Sequence, residues 1–144
     1  MKTGKSVFFS LILMVLVSCN NKTSQIESPL AIVIKLISAE SLADFEEAKK
    51  YIDLEKVYSN NIDTLTAEQA WENQVLFFYN IGKDKKFTNT FKYYNYIIRE
   101  EQKGGNAEVV FESIHPGDSI SKIIYKLVQR DKTWQVVKID YLKK

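Results

Sequence analysis

Apolar and polar positions follow several rhythms along this chain of 144 residues. Val7 to Val17 is an apolar run broken by Ser10, and it sits behind Lys2 and Lys5. Asn20 to Glu27 is polar and has no period. A helical rhythm then begins. Leu30, Val33, Ile34 and Ile37 recur at a spacing near 3.6, and Ile32 and Leu36 widen the stripe. Ser28-Pro29 reads as its start, with serine as N-cap and proline at the first helical position. Ser41 and Asp44 resemble a capping box with aspartate in the glutamate's place, which predicts a second helix to about Ile52. Its apolar side is Leu42, Phe45, Ala48 and Ile52, interrupted by Lys49. Leu54, Val57 and Tyr58 make one further turn before the turn formers Ser59-Asn60-Asn61. Thr66 and Gln69 form a second capping box. It opens a helix from Ala67 to about Gly82, with Trp71, Val75, Phe78 and Tyr79 on one face and Leu76 and Phe77 beside them. At this spacing the stripe reads as core, with a ligand-lining role as its rival. Gly82 suits a helix end, and Lys83, Lys85 and Lys86 suit the negative pole there.

Beyond this point the rhythm shortens to two. Phe87 to Ile98 is rich in aromatic and β-branched residues and predicts a strand with Tyr94, Tyr96 and Ile98 on one face. Glu108 to Ile114, Ile120 to Gln129 and Thr133 to Leu142 predict three more. Val109 and Phe111 share one side of the second. Ile123, Tyr125 and Leu127 share one side of the third. In the fourth, strict alternation sets Trp134 and Val136 opposite Val137, Ile139 and Tyr141. The breaks at Lys103-Gly104-Gly105-Asn106, His115-Pro116-Gly117-Asp118 and Arg130-Asp131-Lys132 are short, which predicts antiparallel neighbours. Helices followed by a strand meander give an α+β fold: N-terminal helices packed on a curved antiparallel sheet of about four strands.

Composition changes the picture at the amino terminus. A basic start, an apolar core and a small residue are the order of a secretory signal. The apolar run is shorter than the roughly 20 residues of a bilayer span, so a transmembrane anchor is the weaker reading. Leu16-Val17-Ser18-Cys19 resembles the lipobox of bacterial lipoproteins. The resemblance implies cleavage before Cys19 and lipidation of its thiol, with acyl chains such as palmitate holding the chain to a membrane of the cell envelope, on its periplasmic or surface side. Cys19 is the single cysteine, so no intramolecular disulfide exists. The expected division is 1–18 signal peptide, 19–28 lipidated terminus and polar tether, and 29–144 folded domain.

Residues 1–18 hold two of the 20 basic residues and none of the 18 acidic ones, so the remainder balances at 18 against 18. That argues against a nucleic-acid partner, which needs a clustered basic face. One histidine and one cysteine make a zinc or haem site unfavourable, and no Gly-rich phosphate loop or Gly-x-Ser-x-Gly is present. No metal and no cofactor are expected. Asp44, Glu46 and Glu47 cluster where acids suit a helix start. His115 has the chemistry of a general base, yet it lies beside a Pro-Gly turn where an exposed histidine is ordinary.

Ala43-Asp44-Phe45-Glu46-Glu47-Ala48, together with Ile124-Tyr125-Lys126-Leu127 and Asp131-Lys132-Thr133-Trp134-Gln135-Val136-Val137-Lys138-Ile139, resembles the NTF2-like superfamily. Strand, charged turn and Trp-x-Val also occur in cystatin-like sheets. The resemblance implies a bent sheet wrapped about a long helix as a cone, with a cavity at its open end. Trp71, Phe78, Tyr94 and Tyr125 are the wall residues it suggests. Enzymes of the superfamily use an acid or a His–Asp pair inside the cone. Asp44, Asp53, Asp63 and Asp140 are the candidates here, and no motif selects one, so no catalytic residue is assigned. The first expectation is a non-enzymatic, membrane-tethered domain that binds a small apolar ligand or an envelope protein. A cofactor-free enzyme acting on a small hydrophobic substrate is the second. A structural subunit of an envelope complex, working through an exposed sheet face, is the third, and a homodimer through the sheet is in keeping with the family.

Overall fold

The computed structural model describes residues 26–58, 64–83 and 95–143. Among them, four helices precede four strands: α1 (Pro29–Ser41), α2 (Phe45–Ala48), α3 (Leu54–Val57), α4 (Ala67–Lys83), β1 (Tyr96–Lys103), β2 (Asn106–Ser113), β3 (Ile120–Arg130) and β4 (Thr133–Lys143). The strands form one open antiparallel sheet in the order β1-β2-β3-β4. The fold class is α+β, as the pattern predicts.

Helix α1 starts as expected. Ser28 is extended, and its hydroxyl accepts a hydrogen bond from the Ala31 amide at 3.2 Å. The Leu30 amide donates to Glu100 Oε2 of β1 at 2.8 Å, so an inward-facing acid of the sheet caps the helix and fixes its register. The buried face holds Ile32, Val33, Leu36 and Ala39. The helix continues through Ser41, which therefore does not cap a second helix; its hydroxyl donates back to the Ser38 carbonyl. The end is a Schellman turn. The Asp44 amide reaches the Ala39 carbonyl at 2.9 Å, and the Ala43 amide reaches that of Glu40 at 3.0 Å. Ala43 takes the left-handed conformation, with φ 53°. The true cap of α2 is Asp44, whose carboxylate accepts from the Glu47 amide at 3.1 Å. This helix is one turn long and does not reach Ile52, which forms a parallel bridge with Val136. There the Asp53 amide donates to the Val136 carbonyl, and the Val136 amide donates to that of Tyr51, both at 2.8 Å. Residues 51–53 thus occupy the otherwise open edge of β4.

Asp53 caps α3 through the Lys56 amide and also accepts from Arg130 at 3.0 Å, tying the helix to the β3–β4 hairpin. Helix α4 opens on the predicted capping box. Thr66 Oγ1 accepts from the Gln69 amide at 3.2 Å, and Gln69 Oε1 accepts from the Thr66 amide at 3.0 Å. Gly82 lies inside this helix and not beyond its end. Trp71 and Val75 are buried, but the apolar stripe is not core throughout. Leu76, Phe77 and Phe78 are 40 %, 60 % and 52 % exposed.

Strand β1 runs on to Lys103, five residues past the expected Ile98. Gly104 supplies the positive φ needed at the first position of its two-residue loop. The β3–β4 loop is also two residues, Asp131 and Lys132, both left-handed, a type I′ pattern carried by a lysine at φ 66°. Ile123, Tyr125 and Leu127 share one face as predicted, and that face is the inward one. Strand β4 departs from prediction. Its pairing shifts between Lys126 and Leu127, which face Lys138 and Val136 and leave Val137 as a bulge residue. Ile139 and Tyr141 therefore stand opposite Tyr125 and Ile123, on the same face as Trp134 and Val136. The bulge reverses the parity that strict alternation implies.

The core lies between the helices and this inward face. Val33, Leu36, Trp71, Val109, Phe111 and Val136 have no exposed surface. The other face of the sheet carries ion pairs that link Glu112 to Arg99 and Lys122, and Asp140 to Lys126 and Lys138.

Candidate functional site

The inward face and the helices bring five side chains together at one end of the core: Glu40, Tyr58, Trp71, Gln74 and Tyr141. Each comes from its element for a local reason. On α1, Glu40 is seven residues past Val33 and four past Leu36, so it occupies the centre of the buried face and not the solvent side. The Schellman turn ends the helix beside it. Tyr58 follows α3, its amide bonded to the Leu54 carbonyl. Trp71 and Gln74 are neighbours one turn apart on α4. Tyr141 comes inward through the bulge at Val137.

Trp71 is fully buried, so its indole N–H needs a partner. It donates to Glu40 Oε1 at 2.7 Å. Phe45 of α2 packs edge-on against the same indole, with ring centroids 5.3 Å apart and planes at 81°. The second oxygen of Glu40 has no hydrogen-bond partner among the described residues. Burial pushes the Glu40 carboxyl above its ordinary value of 4.5, and the Trp71 hydrogen bond pulls it partly back. Among the described residues no lysine or arginine forms an ion pair with it.

The Tyr58 hydroxyl donates to Gln74 Oε1 at 3.2 Å. Burial raises the Tyr58 phenol well above its usual range, and the nearby charges of Glu40 and Tyr141 add to the effect. Burial also raises Tyr141, the Glu40 charge raises it further, and the neighbouring Gln74 amide opposes both. Tyr141 is 47 % exposed, so it stands at the surface edge of the cluster. Both phenols stay neutral at physiological pH, and Glu40 is the single charge the cluster can carry. One turn beyond Gln74 on the same side of α4 stands Phe78, exposed and edge-on to Phe77 with centroids 5.5 Å apart. Polar and exposed aromatic side chains therefore follow one another along one side of α4.

Of the residues singled out from sequence, Trp71 lies in this cluster and Phe78 one turn beyond Gln74 on α4. Tyr125 is buried in the sheet side of the core, edge-on to Phe111 with centroids 5.7 Å apart. Tyr94, Cys19 and Asp63 lie outside the described residues, as do Ser59-Asn60-Asn61 and Phe87 to Tyr94 of the expected first strand. Asp44 and Asp53 are helix caps, and Asp140 pairs with lysines on the outer face, so none of these three joins the cluster. His115 is exposed in the β2–β3 turn, with its ring Nε2 3.2 Å from Asn95 Oδ1. Glu40, Tyr58, Gln74 and Tyr141 were missed. A signal for Glu40 was present: an acid in register with the stripe of α1. Tyr141 had no such signal, because a bulge is not written in the alternation that it breaks.

Among the described residues no group of three His, Cys, Asp or Glu is placed to hold a metal, and no helix is long and apolar enough to cross a membrane. No protein-family model matches the chain, and no curated protein and no solved structure gives a significant match.

Proposed function

We propose that this chain is an exported bacterial lipoprotein, held to the cell envelope through lipid on Cys19, whose NTF2-like domain binds a small, largely apolar molecule without transforming it. The observation that carries the binding reading is the carboxyl of Glu40, held by the Trp71 indole, with the exposed aromatic pair Phe77–Phe78 further along the same helix as Trp71. Small-molecule sites combine apolar and aromatic side chains with a few convergent polar groups. Glu40 already has the fixed duty of accepting from Trp71, which suits recognition better than turnover.

Native mass spectrometry of the chain after incubation with an envelope extract tests this. A reproducible small-molecule mass shift, weakened in Phe78→Ala, supports binding. A mass that always matches the lipidated chain alone defeats it. One observation favours a second reading, a cofactor-free enzyme: a carboxyl raised by burial beside two phenols is the setting of a general acid or base. Conversion of the captured molecule by wild type and not by Glu40→Gln would select that reading.

A further inference from the structure

The two ends of the sheet differ in what they expose, and the difference bears on how an anchored domain sits. Resting on the lipid-anchor reading, we infer that the end of the sheet carrying Ile97, Ile114, Ile120 and Leu142 docks on the surface of the bilayer that holds Cys19.

The strand register brings these side chains together. One row across the outer face runs Ile97, Glu112, Lys122 and Leu142. Ile114 and Ile120 lie further out, just past the end of β2 and at the start of β3. The Ile114 amide donates to the Asn95 carbonyl at 3.1 Å, and Ile120 stands opposite Lys143. All four aliphatic side chains are between 38 % and 53 % exposed. The opposite end, at the 104–105 and 131–132 turns, exposes no large apolar side chain among the described residues. Exposed apolar residues gathered at one place mark an interaction surface.

Three observations favour a bilayer as the occupant. First, Lys122 and Lys143 stand among the aliphatic tips, and both are exposed. A lysine stem lies along apolar surface while its ammonium stays with the headgroups, a mixture that suits a membrane interface better than a dry protein contact. Second, the acids at this end already have partners. Glu112 is held between Arg99 and Lys122, and Asp118 in the β2–β3 turn accepts from the Ser113 hydroxyl. Docking therefore carries no lone carboxylate towards the headgroups. Third, the anchor is close. Seven residues lead from Cys19 to Ile26 and span at most about 25 Å. Helix α1 begins beside Glu100, four residues or roughly 13 Å along β1 from Tyr96 at the apolar end. A lipid on Cys19 thus keeps the patch near the membrane, where a high effective concentration lets shallow contacts suffice.

The test uses the full lipidated chain in phospholipid vesicles that contain doxyl-labelled phosphatidylcholine. With the Cys19 thiol taken by lipid, one added cysteine is the only thiol open to a bimane label. Gly117 in the β2–β3 turn and Gly105 in the β1–β2 turn both have room for it, with no atom within 4 Å of an added Cβ. The eight residues of β2 set them roughly 25 Å apart. The label on Gly117→Cys should lose most of its emission to the doxyl lipid, and that on Gly105→Cys should keep it. Ile114→Ser with Leu142→Ser, both at exposed positions, should restore emission at Gly117→Cys without lowering the denaturation midpoint. Equal quenching at the two glycine sites would overturn the docking and leave the anchor standing. A Gly117→Cys label shielded from aqueous iodide yet unquenched by lipid would also overturn it, giving the patch to a protein partner or a second copy. Failure of the chain to float with the vesicles would overturn both the anchor and the docking.

Discussion

Glu40 holds its proton more tightly in the folded protein than glutamate does in the unfolded chain, because burial outweighs the indole hydrogen bond. Folding stability therefore falls as pH rises from 4.5 through the folded value. Glu40→Gln removes the titration and keeps the acceptor. The variant should have a higher urea midpoint than wild type at pH 7 and an equal one below pH 4. A variant less stable at both pH values would mean that the carboxylate is favourably compensated after all. Ala43 makes a second case at this scale. Its left-handed φ of 53° costs an alanine about 1 kcal/mol that glycine avoids. Ala43→Gly should raise stability by about 1 kcal/mol in chemical denaturation, and a loss would show that the Schellman turn is not formed. At this scale the caps Ser28 and Thr66 were legible, because a hydroxyl followed by a helix is a local pattern. Ser41 was misread, since the same hydroxyl can end a helix by bonding the carbonyl three residues back.

Elements are where periodicity succeeds and where it fails for a definable reason. The order and type of α1, α4 and the four strands follow from the rhythm of apolar residues. The inward set of β3 does too, because regular pairing keeps its parity. On β4 the bulge at Val137 inserts one residue, and everything after it changes sides. Tyr141 reaches the cluster for that reason. Deletion of Val137 should turn Ile139 and Tyr141 outward, withdraw both from the core side, and destabilise the protein by several kcal/mol, as measured by the denaturation midpoint together with hydrogen exchange of the β3–β4 amides. Unchanged protection would show that the strand does not need the extra residue. The stripe of α4 misled in the opposite sense. Its period continues through Phe78, yet burial extends only as far as Val75. A helical pattern states which face is apolar and not how far a partner extends.

For the molecule as a whole, the N-terminal pattern and the cluster bear on two parts of one proposal: a lipid anchor on Cys19 and a binding site at Glu40. Cys19→Ala should move the protein from the membrane fraction to the soluble fraction of lysed cells. Retention in the membrane would contradict the lipid anchor. The α+β arrangement was legible because alternating and helical stretches are separate along the chain. The cluster was not, since it is assembled from α1, α3, α4 and β4 by tertiary packing, and its members are ordinary residues in ordinary patterns.

The most direct test of the account is an NMR titration of the glutamate carboxyls, labelled at 13Cδ, with Glu40→Gln used to assign the Glu40 resonance. A midpoint above 4.5 is the predicted result, since burial outweighs the indole hydrogen bond. A midpoint at or below 4.5 would show a carboxylate already at ease in its surroundings and contradict the account.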